Sequence, residues 1–189
     1  MVDAADIRDV SDFPSVTGRV KFLFFWGHHP PRSGGEGPGC LSQWWPSPFT
    51  VDGVEYPTAE HYMMAEKARL FSDPDAESAV LSARHPKQAK DAGREVRGFD
   101  EAVWARERYR IVVRGNHAKF SRDTLLREYL LASGSRVLAE ASPNDRIWGI
   151  GLAADDERAR DPGQWRGRNL LGFALMEARS RIAREARHL

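Results

Sequence analysis

Glu60, Met64 and Lys67 are four and seven residues apart in the chain, and on a helix those steps place a carboxylate, a thioether and an ammonium on one face. Such a face is too charged for a core stripe and too apolar for a solvated one. A half-buried carboxylate there could stabilise positive charge at a sugar carbon or take a proton from water. The blander reading is a surface Glu–Lys pair beside a buried methionine. The helix itself is signalled by Pro57-Thr58-Ala59: Thr is a good N-cap, and the Ala-bearing run that follows favours helix.

Six tryptophans occur in 189 residues, several of them in turns: Trp26-Gly27, Trp44-Trp45-Pro46 and Trp148-Gly149. An indole in a turn is poorly placed for a core and well placed to stack on a flat ring such as a nucleobase; capping the end of a small core is the alternative. In Asn144-Asp145-Arg146-Ile147-Trp148-Gly149-Ile150-Gly151, Gly149 and Gly151 would let backbone N–H groups approach a ligand. Asp145 could fix a ribose hydroxyl or support a second acid. Gly167-Arg168-Asn169 enters the last helix, and a helix start of that kind suits an anion. Together these features describe a nucleotide-like pocket, although each alone also fits a tight turn closing a core. His28, His29, Cys40 and His61 make no ligand spacing, so neither a metal nor a cofactor is expected. The glycine-rich 33–37 run lacks the Gly-Lys-Ser/Thr ending of a phosphate loop.

The elements that must position these groups are mostly helical. The aromatic and β-branched run at 20–26 reads as a buried strand, and the Pro/Gly-rich stretch 28–39 as irregular loop. Asp52-Gly53 between two short apolar runs signals a hairpin. After the Thr58 helix, Asp73-Pro74 starts a second helix and Pro86 a short third. Asp100 caps a long fourth helix, on which Trp104, Arg108, Ile111, Gly115 and Lys119 follow at three- and four-residue steps. Ser121 is read as restarting the chain in a further helix ended by Gly134. Residues 137–139 fit a short strand or a helical turn, 155–167 a polar loop, and a last helix begins near Asn169. The expectation is an α+β protein, mainly α: residues 1–15 as a loosely held segment, then one compact multihelical domain over 16–189 with a few short strands.

Composition narrows the function classes. A formal net charge of +1 argues against a strongly basic nucleic-acid tract. One cysteine permits no intrachain disulfide and suggests a reducing, cytoplasmic setting. No run approaches the roughly 18 apolar residues of a membrane helix, so no membrane partner is expected.

Across residues 24–179 the segments resemble, in order, the NADAR or YbiA-like family. The motif elements are Phe25-Trp26, Leu41-Ser42, Val51-Asp52-Gly53, Thr58-x-Glu60-His61-Tyr62 with Lys67, Gly93-Arg94, Trp104, Lys119-Phe120 and Leu138-x-Glu140. Asn144-Asp145-x-x-Trp148-Gly149-x-Gly151 and Gly167-x-Asn169-x-Leu171-Gly172 complete the set. The resemblance implies a mostly helical domain and an N-glycosidase that cuts a base-like group from a ribose carbon. Its implied substrates are riboflavin-pathway intermediates or ADP-ribose attached to guanine in nucleic acid. The family's key carboxylate falls on Glu60, with Asp145 assisting. Phe25, Trp26, Gln43, Trp44, Trp104, Trp148, Gly149 and Gly151 are the expected pocket positions, and Lys67, Arg94, Lys119 and Asn169 the expected polar and phosphate contacts. A lysine route, through Lys21 or Lys67 opening the ribose, is the mechanistic alternative; a module that binds ADP-ribose or NAD without cleavage is the functional one. The chain departs from the pattern at Ser42-Gln43-Trp44, where the family has Ser-Asn-Phe, in a longer 28–39 loop and in an insertion at 155–164.

Overall fold

The computed structural model describes residues 7–15, 20–32 and 34–187. Six helices dominate: α1 Ala59–Leu70, α2 Pro74–Ser82, α3 Pro86–Arg94, α4 Glu101–Arg122, α5 Thr124–Ala132 and α6 Leu170–Glu185. Four short strands accompany them: β1 Phe22–Phe25, β2 Phe49–Val51, β3 Val54–Tyr56 and β4 Val137–Glu140. The mainly helical α+β expectation holds. Asp52 (φ 51) and Gly53 (φ 80) both take positive φ, the requirement of a tight turn between β2 and β3. β1 instead pairs in parallel with β4, bringing Phe25 opposite Glu140.

Most helix starts carry the acceptors that orphan N–H groups need. Asp73 accepts from Ala76 N, and Asp100 from Val103 N. α4 runs on to Arg122 rather than breaking at Ser121, because the next capping acceptor is Asp123, whose Oδ1 accepts from the Leu125 and Leu126 N–H groups. α4 packs along α6, α1 sits against α2, α3 and α4, and α6 covers β4. Two of the close approaches that require glycine frame the site. A Cβ on Gly93 would fall inside the Met64 side chain, so α3 rests directly on α1. One on Gly172 would collide with the Leu138 carbonyl, so α6 lies tight on β4. Within the segment 1–15, Ile7 is fully buried, and Phe13 packs edge-on to Trp165 beside Phe22 and Phe173. Residues 1–6 lie outside the described residues. Among the described residues, no helix is long and apolar enough to cross a membrane.

Candidate active site

The first turn of α1 is held on both sides. Thr58 Oγ1 accepts from the His61 N–H (3.4 Å) and lies 2.8 Å from His61 Nδ1, while His61 Nε2 lies 3.1 Å from the Ala83 carbonyl. A carbonyl only accepts, so Nε2 carries the proton and Nδ1 accepts from the Thr58 hydroxyl. Burial holds His61 below the usual imidazole range, which fits that neutral form. The Glu60 N–H donates to the Gln43 carbonyl at 3.0 Å. That contact seats the 40–45 loop beside the catalytic candidate. α4 clamps the same loop from below: Lys119 Nζ donates to the Cys40 and Ser42 carbonyls (2.7 and 2.9 Å), and Asn116 Nδ2 donates to Gln43 Oε1 (2.9 Å).

Glu60 is 3% exposed, and its Oε1 has no hydrogen-bond partner. Burial pushes its pKa up to about 7; the Lys90 ammonium, a Trp44 side-chain hydrogen bond and Arg94 pull it down, and Asp145 raises it. The cation that matters most is therefore Lys90 rather than Lys67 on the same helix as Glu60. Lys67 Nζ donates to the Gly93 carbonyl (2.7 Å) and sits 4.2 Å from the Phe99 ring centroid and 5.8 Å from that of Trp104.

A second carboxylate lines the same cavity. Glu140 ends β4, its N–H donates to Asn169 Oδ1 (3.0 Å), and its carbonyl accepts from Ile150 N (2.9 Å). Asn169, with φ 54, also donates from Nδ2 to the Leu138 carbonyl (2.9 Å), so it staples the start of α6 to β4. Glu140 Oε2 is buried without a partner. Burial first, then the charges of Asp145 and Glu60, pushes its pKa up to about 8, with Lys90 opposing.

Both carboxylates face one cavity of about 900 Å³, a size that suits a nucleotide-like ligand. Trp26, Trp44, Trp104 and Trp148 line it, with Met63 and Met64 between them. Lys67, Lys90 and Arg94 supply its cations. Trp44 sits among His28 (5.6 Å between ring centroids), His85 (5.9 Å) and the Lys90 ammonium (5.9 Å). Trp26 is 62% exposed at the mouth. Asp145 also lines the cavity, and its Oδ1 accepts from the Ile147 and Trp148 N–H groups, fixing the turn that presents Trp148.

The cavity thus gathers Glu60, Asp145, Trp26, Gln43, Trp44, Lys67, Arg94, Trp104 and Trp148 of the sequence candidates. Five others lie outside it. Phe25 is a core residue on β1. Lys119 is fully buried and committed to two carbonyls, so it does not meet a phosphate. Asn169 is fully buried and committed to β4. Gly149 and Gly151 serve close backbone packing: Cβ atoms there would press on the Glu140 carbonyl and on Arg166. Lys21 does not line the cavity. Sequence reasoning missed Lys90 and left Glu140 without a role. A carboxylate ending the apolar 137–139 run was the available signal for Glu140. Cys40 is buried, and burial pushes its thiol up to about 12, which suits a packing role. Among the described residues no group of three or more His, Cys, Asp or Glu is placed to hold a metal.

Comparison with known proteins agrees with this architecture. The NADAR domain family matches residues 24–183. An N-glycosidase of Acanthamoeba polyphaga mimivirus is 38% identical, over 84% of this chain and 95% of its own. The N-glycosidase YbiA of Escherichia coli K12 is 32% identical, over 73% of this chain and 78% of its own. A riboflavin biosynthesis protein of Vibrio vulnificus is 32% identical, over 80% of this chain but 37% of its own length. The NMR structure of Escherichia coli YbiA superposes with a TM-score of 0.72 at 26% identity, covering 100% of this chain and 96% of that one.

Proposed function

The chain belongs to the NADAR domain family, and on that premise we propose that it is a cytoplasmic N-glycosidase hydrolysing the bond between a base-like group and C1 of a ribose phosphate or ADP-ribose. The observation that carries this reading is Glu60: a buried carboxylate with an unpartnered oxygen, in a cavity walled by indoles. Breaking the C1–N bond builds positive charge on the ribose C1 and ring oxygen. A carboxylate beside that carbon stabilises the charge electrostatically and accepts a proton from the attacking water. A pKa of about 7 keeps an ionised fraction near neutrality while leaving the group basic enough to act. Trp104, Trp148 or Trp44 would stack on the departing base, Asp145 would meet ribose hydroxyls, and Arg94 and Lys90 would hold phosphate oxygens.

Two substrate classes fit: an aminopyrimidine ribose phosphate of the riboflavin pathway, and ADP-ribose linked to guanine in nucleic acid. Parallel incubations with one of each, following free ribose 5-phosphate and free ADP-ribose, choose between them. Glu60→Gln should lower turnover by about 10²- to 10⁴-fold while ligand binding by calorimetry stays close to wild type. Near-normal turnover in that variant would remove Glu60 from the mechanism. Binding of ADP-ribose by the wild-type protein with no product from either substrate would make the protein a reader rather than an enzyme.

A further inference from the structure

We infer that Glu140 is a second catalytic residue, the acid that protonates the departing base while Glu60 works at the sugar carbon and the water. The inference rests on the N-glycosidase reading and adds to it a group that reading leaves idle. Glu60 stands at the start of α1 and Glu140 at the end of β4, and both line the same cavity. Each has one carboxylate oxygen buried without a protein partner. A buried carboxyl with an unmade hydrogen bond is unfavourable unless a ligand completes it. The backbone of Glu140 is fixed at both ends, its N–H by Asn169 and its carbonyl by Ile150, as a group aimed at a reacting atom should be.

The surrounding charges divide the roles. Lys90, Trp44 and Arg94 all favour the ionised form of Glu60. Glu140 meets the negative charges of Asp145 and Glu60, with Lys90 alone opposing, and among the described residues it makes no ion pair. The remaining charged or titratable lining groups are Lys67, His28 and His29. Glu60, with two cations and an indole N–H beside it, is the member of the pair whose surroundings favour ionisation, and Glu140, facing two carboxylates, is the one whose surroundings favour keeping the proton. Two carboxyls pushed apart in this way supply an acid and a base in one site. In the step, the C1–N electron pair passes to the base, whose nitrogen takes the Glu140 proton. Water oxygen bonds to C1 and gives its proton to Glu60. Transfer of that proton from Glu60 to Glu140 resets the pair, so the net change is the addition of one water.

The test varies the leaving group. Wild-type protein, Glu140→Gln and Glu60→Gln are assayed on an aminopyrimidine ribose phosphate and on 4-nitrophenyl ribose 5-phosphate, whose phenolate departs without a proton. Glu140→Gln should slow the aminopyrimidine substrate by about 10²- to 10³-fold and the nitrophenyl substrate by less than about fivefold, whereas Glu60→Gln should slow both. Glu140→Asp should recover part of the loss and the alkaline limb of the pH–rate profile, which Glu140→Gln abolishes. Independently of activity, infrared difference spectra of the unliganded protein near pH 8 should show a protonated carboxyl band that Glu140→Gln largely removes and Glu60→Gln largely keeps. Equal losses on both substrates in Glu140→Gln, or no loss on either, overturns the inference and leaves the N-glycosidase reading standing. Absence of any product with wild-type protein from these two substrates and from ADP-ribosylated guanosine DNA overturns both.

Discussion

Glu60 and Glu140 bind protons more tightly in the folded protein than in an unfolded chain, because burial penalises the charged carboxylate. The sign of the consequence follows from linkage. Between about pH 4.5 and about pH 8 the folded state holds protons that the unfolded state releases, so stability falls as pH rises through that window. Removing one such charge should then stabilise the protein where the charge exists. Glu60→Gln is expected to raise the unfolding free energy at pH 8 by roughly 1–3 kcal/mol and to match wild type below about pH 4.5. Guanidinium titrations at the two pH values check this, and parallel curves for the two proteins would show that burial is not what perturbs Glu60. Lys119 acts in the opposite sense. Its burial lowers its pKa to about 7, so the fold binds fewer protons than the unfolded chain above that pH and its contribution grows as pH rises. The wild-type-minus-variant difference cancels that background.

At the scale of elements, the site is three contacts between segments distant in sequence: the 40–45 loop on α1, α3 on α1, and α6 on β4. The second of these can be tested with one methyl group. Gly93→Ala should push Met64 off α3 and into the cavity, since α3 rests on that side chain. Ligand affinity is expected to fall about tenfold, with under about 1.5 kcal/mol lost in stability because Met is flexible. Met64→Ala in the same protein should restore the affinity, a coupling that calorimetry on the four proteins of the cycle measures. The third contact is stiffer. Asn169→Ala leaves the Glu140 N–H and the Leu138 carbonyl unsatisfied and puts Ala at φ 54, so a loss of about 2–4 kcal/mol is expected on denaturation. Local signals made part of this readable. Thr58 as cap, the Glu60–Met64–Lys67 face and the Asp52-Gly53 turn are each settled by a few adjacent residues. The pairing of β1 with β4 is not, because the strands lie more than a hundred residues apart in the chain, and so Glu140 had no assigned partner. Nor does a sequence say whether an ammonium or amide is already committed to backbone carbonyls, which is what removed Lys119 and Asn169 from the site.

At the scale of the whole molecule, the near balance of charge limits how this protein can hold an anionic substrate. Net charge is +1, and the cations that reach the cavity are few: Lys67, Lys90 and Arg94, with His28 and His29 at the mouth. Lys67 is partly committed to the Gly93 carbonyl, and burial lowers its pKa, with Glu101 opposing and Arg94 reinforcing the shift. Affinity must then come mainly from indole stacking and enclosure, which salt does not screen. A protein clamping a duplex through six to ten phosphates would lose about 10³- to 10⁵-fold in affinity between 50 and 200 mM salt. On the proposed reading two or three cations would meet one or two phosphates, so the same change of salt should weaken binding of ADP-ribose by less than about tenfold. Replacing Trp44 or Trp148 by Ala should cost about 1–3 kcal/mol of binding at either salt concentration. Calorimetry across that salt range, on wild type and the two tryptophan variants, decides the matter. A steep salt dependence with little effect of the tryptophans would mean that electrostatics, not the indole-walled cavity, captures the substrate, and that an extended nucleic-acid backbone is part of what the protein grips.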